Sequence, residues 1–184
     1  GITELVRPCS INGTIVGSVA STAYFAALLQ LAGSARAQAG FPCVATMMMD
    51  WGLPVNQQRD WLGLVAPYVD LAKFVVGTAR MYDEETLLEK IALYKAHHVH
   101  PFIGGQFLEY VYATQGLQGA RPYFQEAKRL GFDAIEVSDN VVPLDSVTRH
   151  TLICTAVDCG LEVHGEVGSK SEDTGASTLI AQAN

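Results

Sequence analysis

The chain is short of charge, and of positive charge above all. Its 184 residues include 12 Lys or Arg against 19 Asp or Glu, a formal net charge of −7. No basic cluster breaks that balance, which argues against nucleic acid as the main partner. Isolated basic residues can still hold a small anion locally. Cysteine is scarce as well. The four present (Cys9, Cys43, Cys154, Cys159) form no CxxC and no metal-ligand spacing. This excludes a disulfide scaffold and reads as reduced thiols of a cytoplasmic protein. An uninterrupted apolar run of membrane-span length is also missing. Residues 14–39 come nearest, but Ser18, Ser21, Thr22, Gln30, Gly17 and Gly33 dilute them. Their ending, ARAQA, resembles a signal-peptidase site, yet the diluted core argues against secretion. A short strand over 14–19 and a helix over 22–37 are expected instead, with no membrane association.

What the chain does have is apolar bulk: 49% of its residues are hydrophobic. That is enough for one sizeable core. Residues 1–40 read as an atypical N-terminal segment and 41–184 as the main domain. From Phe41 onward strand and helix patterns alternate. Strands are expected over 44–49, around Lys73, and over 99–103, 132–137 and 161–167. Helices are expected over 57–66, 83–97, from Phe107, over 122–130 and over 145–159. Asp83, Glu84 and Glu85 open one helix, where the macrodipole favours acid, and Gly131 closes another. Leu87, Leu88, Ile91 and Tyr94 supply the buried stripe of the 83–97 helix. Strands alternating with helices at this spacing are βα units on a parallel sheet. The fold class is α/β.

Lys73 stands out within VDLAKFVVGTARMY (69–82). The run is apolar enough for a strand covered on both faces, and a lysine inside it needs a partner. Alternation puts Leu71, Lys73 and Val75 on one face and Ala72 and Phe74 on the other. A lysine snorkelling from an edge strand is the alternative. Polar residues recur at the C-terminal ends of successive strands: Asp50, Lys73 to Thr78, Gly104-Gly105, Glu136 with Ser138 and Asp139, then Glu166 with Lys170. That rim is where (β/α) barrels and open α/β sheets build their sites. Parity expects Asp50, Lys73, Glu136 and Glu166 to face one cavity. His97, His98 and His100 fall away from this rim and suit a helix end better than a metal site. Met47, Met48 and Met49 are expected to fill the core.

Five blocks at consistent spacing resemble the phosphosulfolactate synthase family of coenzyme M biosynthesis. They are TMMMDWGLP (46–54), YVDLAKFVVGTARMY (68–82), EKIALYKAHHVHPFIGGQFLEY (89–110), EAKRLGFDAIEVSD (126–139) and GLEVHGEVGSK (160–170). The family includes plant heat-stress-associated relatives, whose first strand GITE (1–4) echoes. The resemblance implies a (β/α)8 TIM-type barrel. About five to six βα units can be counted here, so a truncated barrel is expected. Its unpaired edges would favour a homo-oligomer. The resemblance further implies a carbon–sulfur lyase that adds sulfite to phosphoenolpyruvate with Mg²⁺. On that basis Lys73, Glu136 and Lys170 are catalytic candidates, Gly104, Gly105 and Ser138 bind substrate, and Asp50 and Glu166 hold the metal. A non-catalytic relative acting by binding or in stress tolerance is the alternative, and a different enolate-forming enzyme is a third.

Overall fold

A computed structural model describes residues 45–166. The expectations for residues 1–40 and for Lys170 lie outside the described residues. Five strands, β1 (Met47–Asp50), β2 (Leu71–Phe74), β3 (His100–Ile103), β4 (Ala134–Val137) and β5 (Glu162–Gly165), form one sheet in the order of the chain. Every neighbouring pair is parallel. The helices are α1 (Val55–Val65), α2 (Glu84–Ala96), α3 (Gly105–Gln115), α4 (Ala120–Leu130) and α5 (Ser146–Asp158). Short 3₁₀ turns occupy Ala66–Tyr68, Thr78–Met81 and Gly116–Gly119.

Sequential strand order carries the architecture. A doubly wound sheet reverses its order at a switch point, and this one never does. Right-handed crossovers taken always in the same direction put every helix on one face. That is the winding of a TIM-type barrel, of which the described residues hold five strands. Ala72, Phe74, Ile103, Ile135 and Val137 point to the helix face. They pack there with Leu87, Ile91, Tyr94, Leu108, Phe124, Ala127, Leu152 and Ala156. Phe74 anchors this layer with its ring edge-on to Tyr94 at 5.9 Å and to Phe132 at 5.1 Å. Burying such a ring contributes about 1.5–3 kcal/mol.

Local chemistry sets the helix ends. Asp83 caps α2 by accepting from the Thr86 N–H at 2.8 Å, and Asp145 caps α5 through the Thr148 N–H at 2.7 Å. Both carboxyls are held below the usual carboxylate range by those backbone N–H groups. Gly131 ends α4 at φ 96°, in the left-handed region glycine enters at no steric cost.

One stripe differs from expectation. On α2 the buried positions are Leu87, Lys90, Ile91, Leu93 and Tyr94, while Leu88 is 39% exposed. The 3.6-residue period selects 87, 90, 91 and 94, so Lys90 takes the place given to Leu88. Met47 and Met49 are about half exposed as well, because register turns them away from the helices. Met48 alone of the three packs against the core. No described helix is long and apolar enough to cross a membrane.

Candidate active site

Register decides which side chains meet. Residues paired across parallel strands point to the same face, and the pairs are Met49 with Lys73, Lys73 with Phe102, and Glu136 with His164. Lys73 therefore shares the face opposite the helices with Phe102, Glu136 and His164. Lys73 Nζ lies 2.8 Å from Glu136 Oε2 and 3.7 Å from Glu166 Oε2. The ammonium is a partnered group facing a cavity, not a snorkelling edge lysine. That cavity, about 70 Å³, is lined by Met49, Trp51, Lys73, Gly104, Glu136 and Glu166 among others.

Both glycines of the pair are there for close approach. A Cβ on Gly104 would lie 2.9 Å from Lys73 Cε, and one on Gly105 would lie 2.1 Å from Ser138 Oγ. Neither fits without displacing its neighbour. Gly104 caps α3, and the Gly105 N–H donates to Glu136 Oε1 at 2.9 Å. The anion at this helix start is thus Glu136 itself, where the dipole favours it. Beside the cavity, Val76 sits at φ 50° and is 57% exposed. A β-branched residue rarely adopts that conformation, and such strain concentrates at functional sites.

Burial pushes the Glu136 carboxyl above the usual carboxylate range. The Lys73 ammonium and the Gly105 N–H pull the other way, and Glu166 adds to the rise. His164, half-buried edge-on against Phe102 at 4.6 Å, is pushed down by burial and by Lys73, with Glu162 opposing. Glu136 gives a signed pH dependence. Its folded-state affinity for a proton exceeds its unfolded one. The stability it contributes is complete below the ordinary carboxylate range and is lost as pH rises through the higher folded value. Glu136→Gln should flatten the fall in denaturant midpoint across that window. An unchanged pH slope in the variant would show that Glu136 is not its source.

Two expected placements are corrected. Asp50 pairs with Phe74, so it lies on the helix face, opposite Lys73. It is fully buried, 2.9 Å from Lys90 Nζ, and accepts from the Tyr94 hydroxyl at 2.7 Å and from the N–H groups of Gly52 and Leu53. Burial, then the charge of Asp50, raises the Tyr94 phenol and pushes Tyr82 up to about 12, so both stay protonated. The expected metal pair Asp50 and Glu166 is therefore not brought together. Among the described residues no three His, Cys, Asp or Glu side chains converge on a metal position. Ser138, expected beside Glu136, is buried with its hydroxyl donating to Glu109 and does not line the cavity. His97 ends α2, His98 follows at φ 60°, and His100 lies 3.5 Å from Asp133 at the start of β3, away from the rim.

Sequence reasoning missed two groups. Asn140 Nδ2 donates to Glu166 Oε2 at 2.7 Å, and Glu109 is a buried carboxylate beneath the 138–142 segment. Glu109 lies inside the GGQFLEY block, which was the available signal.

Comparison with known proteins places the chain in a family. A family model described as (2R)-phospho-3-sulfolactate synthase (ComA) matches residues 43–184. The phosphosulfolactate synthases of Methanothermobacter thermautotrophicus and Methanocaldococcus jannaschii are each 34% identical over 128 residues, 70% of this chain. Those stretches cover 48% and 50% of the two relatives. The phosphosulfolactate synthase of Bacillus subtilis is 28% identical over 128 residues, 48% of its length. The chain thus spans about half the length of the curated relatives it matches. With the matched region covering all five strands and the Lys73–Glu136–Glu166 cluster, the chain belongs to the phosphosulfolactate synthase family.

Proposed function

We propose that this protein joins sulfite to phosphoenolpyruvate, giving 2-phospho-3-sulfolactate, at the cavity where Lys73 meets Glu136 and Glu166. The single observation that supports this most is a lysine held between two carboxylates at the C-terminal ends of parallel strands. The sulfur lone pair of sulfite attacks the methylene carbon, C3, and forms the C–S bond. The C2–C3 π electrons move to C2 and spread into the substrate carboxylate as an enediolate. Protonation at C2 completes the addition, and the phosphate ester stays intact.

Each step needs a group of the kind found here. A fixed ammonium stabilises the enediolate charge, and preorganised charge of this sort is commonly the largest catalytic contribution. Lys73 takes that role in this reading. Burial raises the proton affinity of the Glu136 carboxyl, which suits it to deliver that proton. Glu136 regains its proton from bisulfite or water, so the balance closes without a redox partner. Asp50 faces away from this cavity and is paired with Lys90, so it does not share a metal position there with Glu166.

The test follows phosphoenolpyruvate by phosphorus NMR with sulfite present or absent, with and without Mg²⁺. The expected result is loss of its resonance only when sulfite is added, with one new phosphomonoester resonance appearing. No sulfite-dependent conversion under either condition would overturn the reading. Binding of phosphoenolpyruvate without turnover would favour the non-catalytic alternative.

A further inference from the structure

Glu109 lies in the second turn of α3, with 2% of its surface exposed. Its Oε1 accepts from the Ser138 hydroxyl and from the Asn140 N–H at 3.1 Å. Its Oε2 accepts from the N–H groups of Val141 at 2.7 Å and Val142 at 2.8 Å. All four donors are neutral. An ionised carboxylate is acceptor-only, with about four lone-pair sites, so the donor set matches it fully. Burying a carboxylate is costly, and an apolar side chain would fill the same space without that cost. The charge must therefore be explained by what it holds.

What it holds is the segment carrying Asn140. The Asn140 side chain donates to Glu166 Oε2, which lies 3.7 Å from Lys73 Nζ. The same helix reaches the cavity by a second route. Gly105, at its start, donates to Glu136 and packs on Ser138 with no room for a Cβ. We infer that Glu109 is a positioning residue, fixing residues 138–142 so that Asn140 holds Glu166 against Lys73. α3 then sets both carboxylates: Glu136 through the Gly105 N–H and Glu166 through Glu109 and Asn140. Its consequence for catalysis rests on the reaction proposed above.

Two variants of the full chain test this. Glu109→Gln keeps the shape but turns one acceptor oxygen into an NH₂ group facing two donors, so part of the segment is released. Asn140→Ala keeps its backbone N–H on Glu109 and cuts only the link to Glu166. The readout independent of turnover is the rate of Lys73 acetylation by acetic anhydride, measured by mass spectrometry against Lys95 and Lys128. An ammonium that loses a carboxylate partner is freed to react. Both variants should therefore label several-fold faster at Lys73. Turnover, read as kcat, should fall by about tenfold, the lower end for losing an outer-shell partner, with a smaller change in KM. The double variant should be little worse than either single one, because both act along one path. Unchanged Lys73 labelling in Asn140→Ala would overturn the inference, whether or not Glu109→Gln folds. So would a Glu109→Gln protein that loses stability while labelling and kcat per folded molecule stay at wild-type values. If the wild-type chain shows no sulfite-dependent turnover, the proposed reaction fails, and the labelling still decides the positioning role.

Discussion

Lys73→Met should lower sulfite-dependent turnover by about 10²-fold or more, the scale for removing one preorganised electrostatic group. Methionine keeps the length of the stem beside Gly104 and removes the charge. The effect on stability should depend on pH. Lys73 and Glu136 sit 2.8 Å apart with side chains only 12% and 8% exposed. Breaking such a pair from one side costs about 3–5 kcal/mol when the remaining charge stays buried. Glu136 can escape that cost by taking a proton, and burial already raises its affinity for one. Without the ammonium its folded-state value rises further above the unfolded one. The sign follows: the variant is close to wild type below the ordinary carboxylate range and loses stability as pH rises through the raised value. Denaturant melts at acid and neutral pH, beside the phosphorus NMR assay, measure both effects. Undiminished turnover ends the catalytic role of Lys73. A pH-independent loss of stability, with turnover per folded molecule intact, makes the pair structural.

The second large effect lies on the other face of the sheet. Asp50→Ala should cost about 3–5 kcal/mol, because it strands a buried ammonium. Total stabilities of domains run at only about 5–15 kcal/mol, so much of the fold's margin is at stake. Asp50 and Lys90 are 2.9 Å apart, and neither side chain has any exposed surface. Lys90 also donates to Leu53 O and Gln58 Oε1 and lies over the Tyr82 ring at 5.2 Å. These bonds tie α2 to the turn after β1 and to α1. Lys90→Met alone should be similarly damaging. The double variant Asp50→Ala with Lys90→Met should lose clearly less than the sum of the two single losses, since no charge is left unpaired. Chemical denaturation of the four proteins gives the coupling directly. A protein carrying Asp50→Ala that melts like wild type but loses Mg²⁺-dependent turnover would restore the metal role for Asp50.

The sequence by itself determined the alternation of strands and helices, the helix starts near Asp83 and Asp145, the stop at Gly131, and the facing of Lys73 with Glu136. These depend on periods of 2 and 3.6 residues and on single-residue chemistry, which are properties of a short stretch of chain. Its resemblance blocks also carried the family. Tertiary structure decided which face Asp50 takes. Alternation within MMMD separates Met48 and Asp50 from Met47 and Met49, but with methionine in both sets the stretch does not say which one meets the helices. The pairing of Asp50 with Phe74 does. Ser138 was misplaced for a related reason: β4 ends at Val137, and beyond the last ladder position alternation no longer governs direction. Lys90 and Glu109 were invisible because a charged residue on a helix ordinarily faces water. Their partners, Asp50 and the 138–142 segment, lie some 30 to 40 positions away along the chain. Only the folded sheet brings those groups within hydrogen-bond distance, and only there does burying their charge become tolerable.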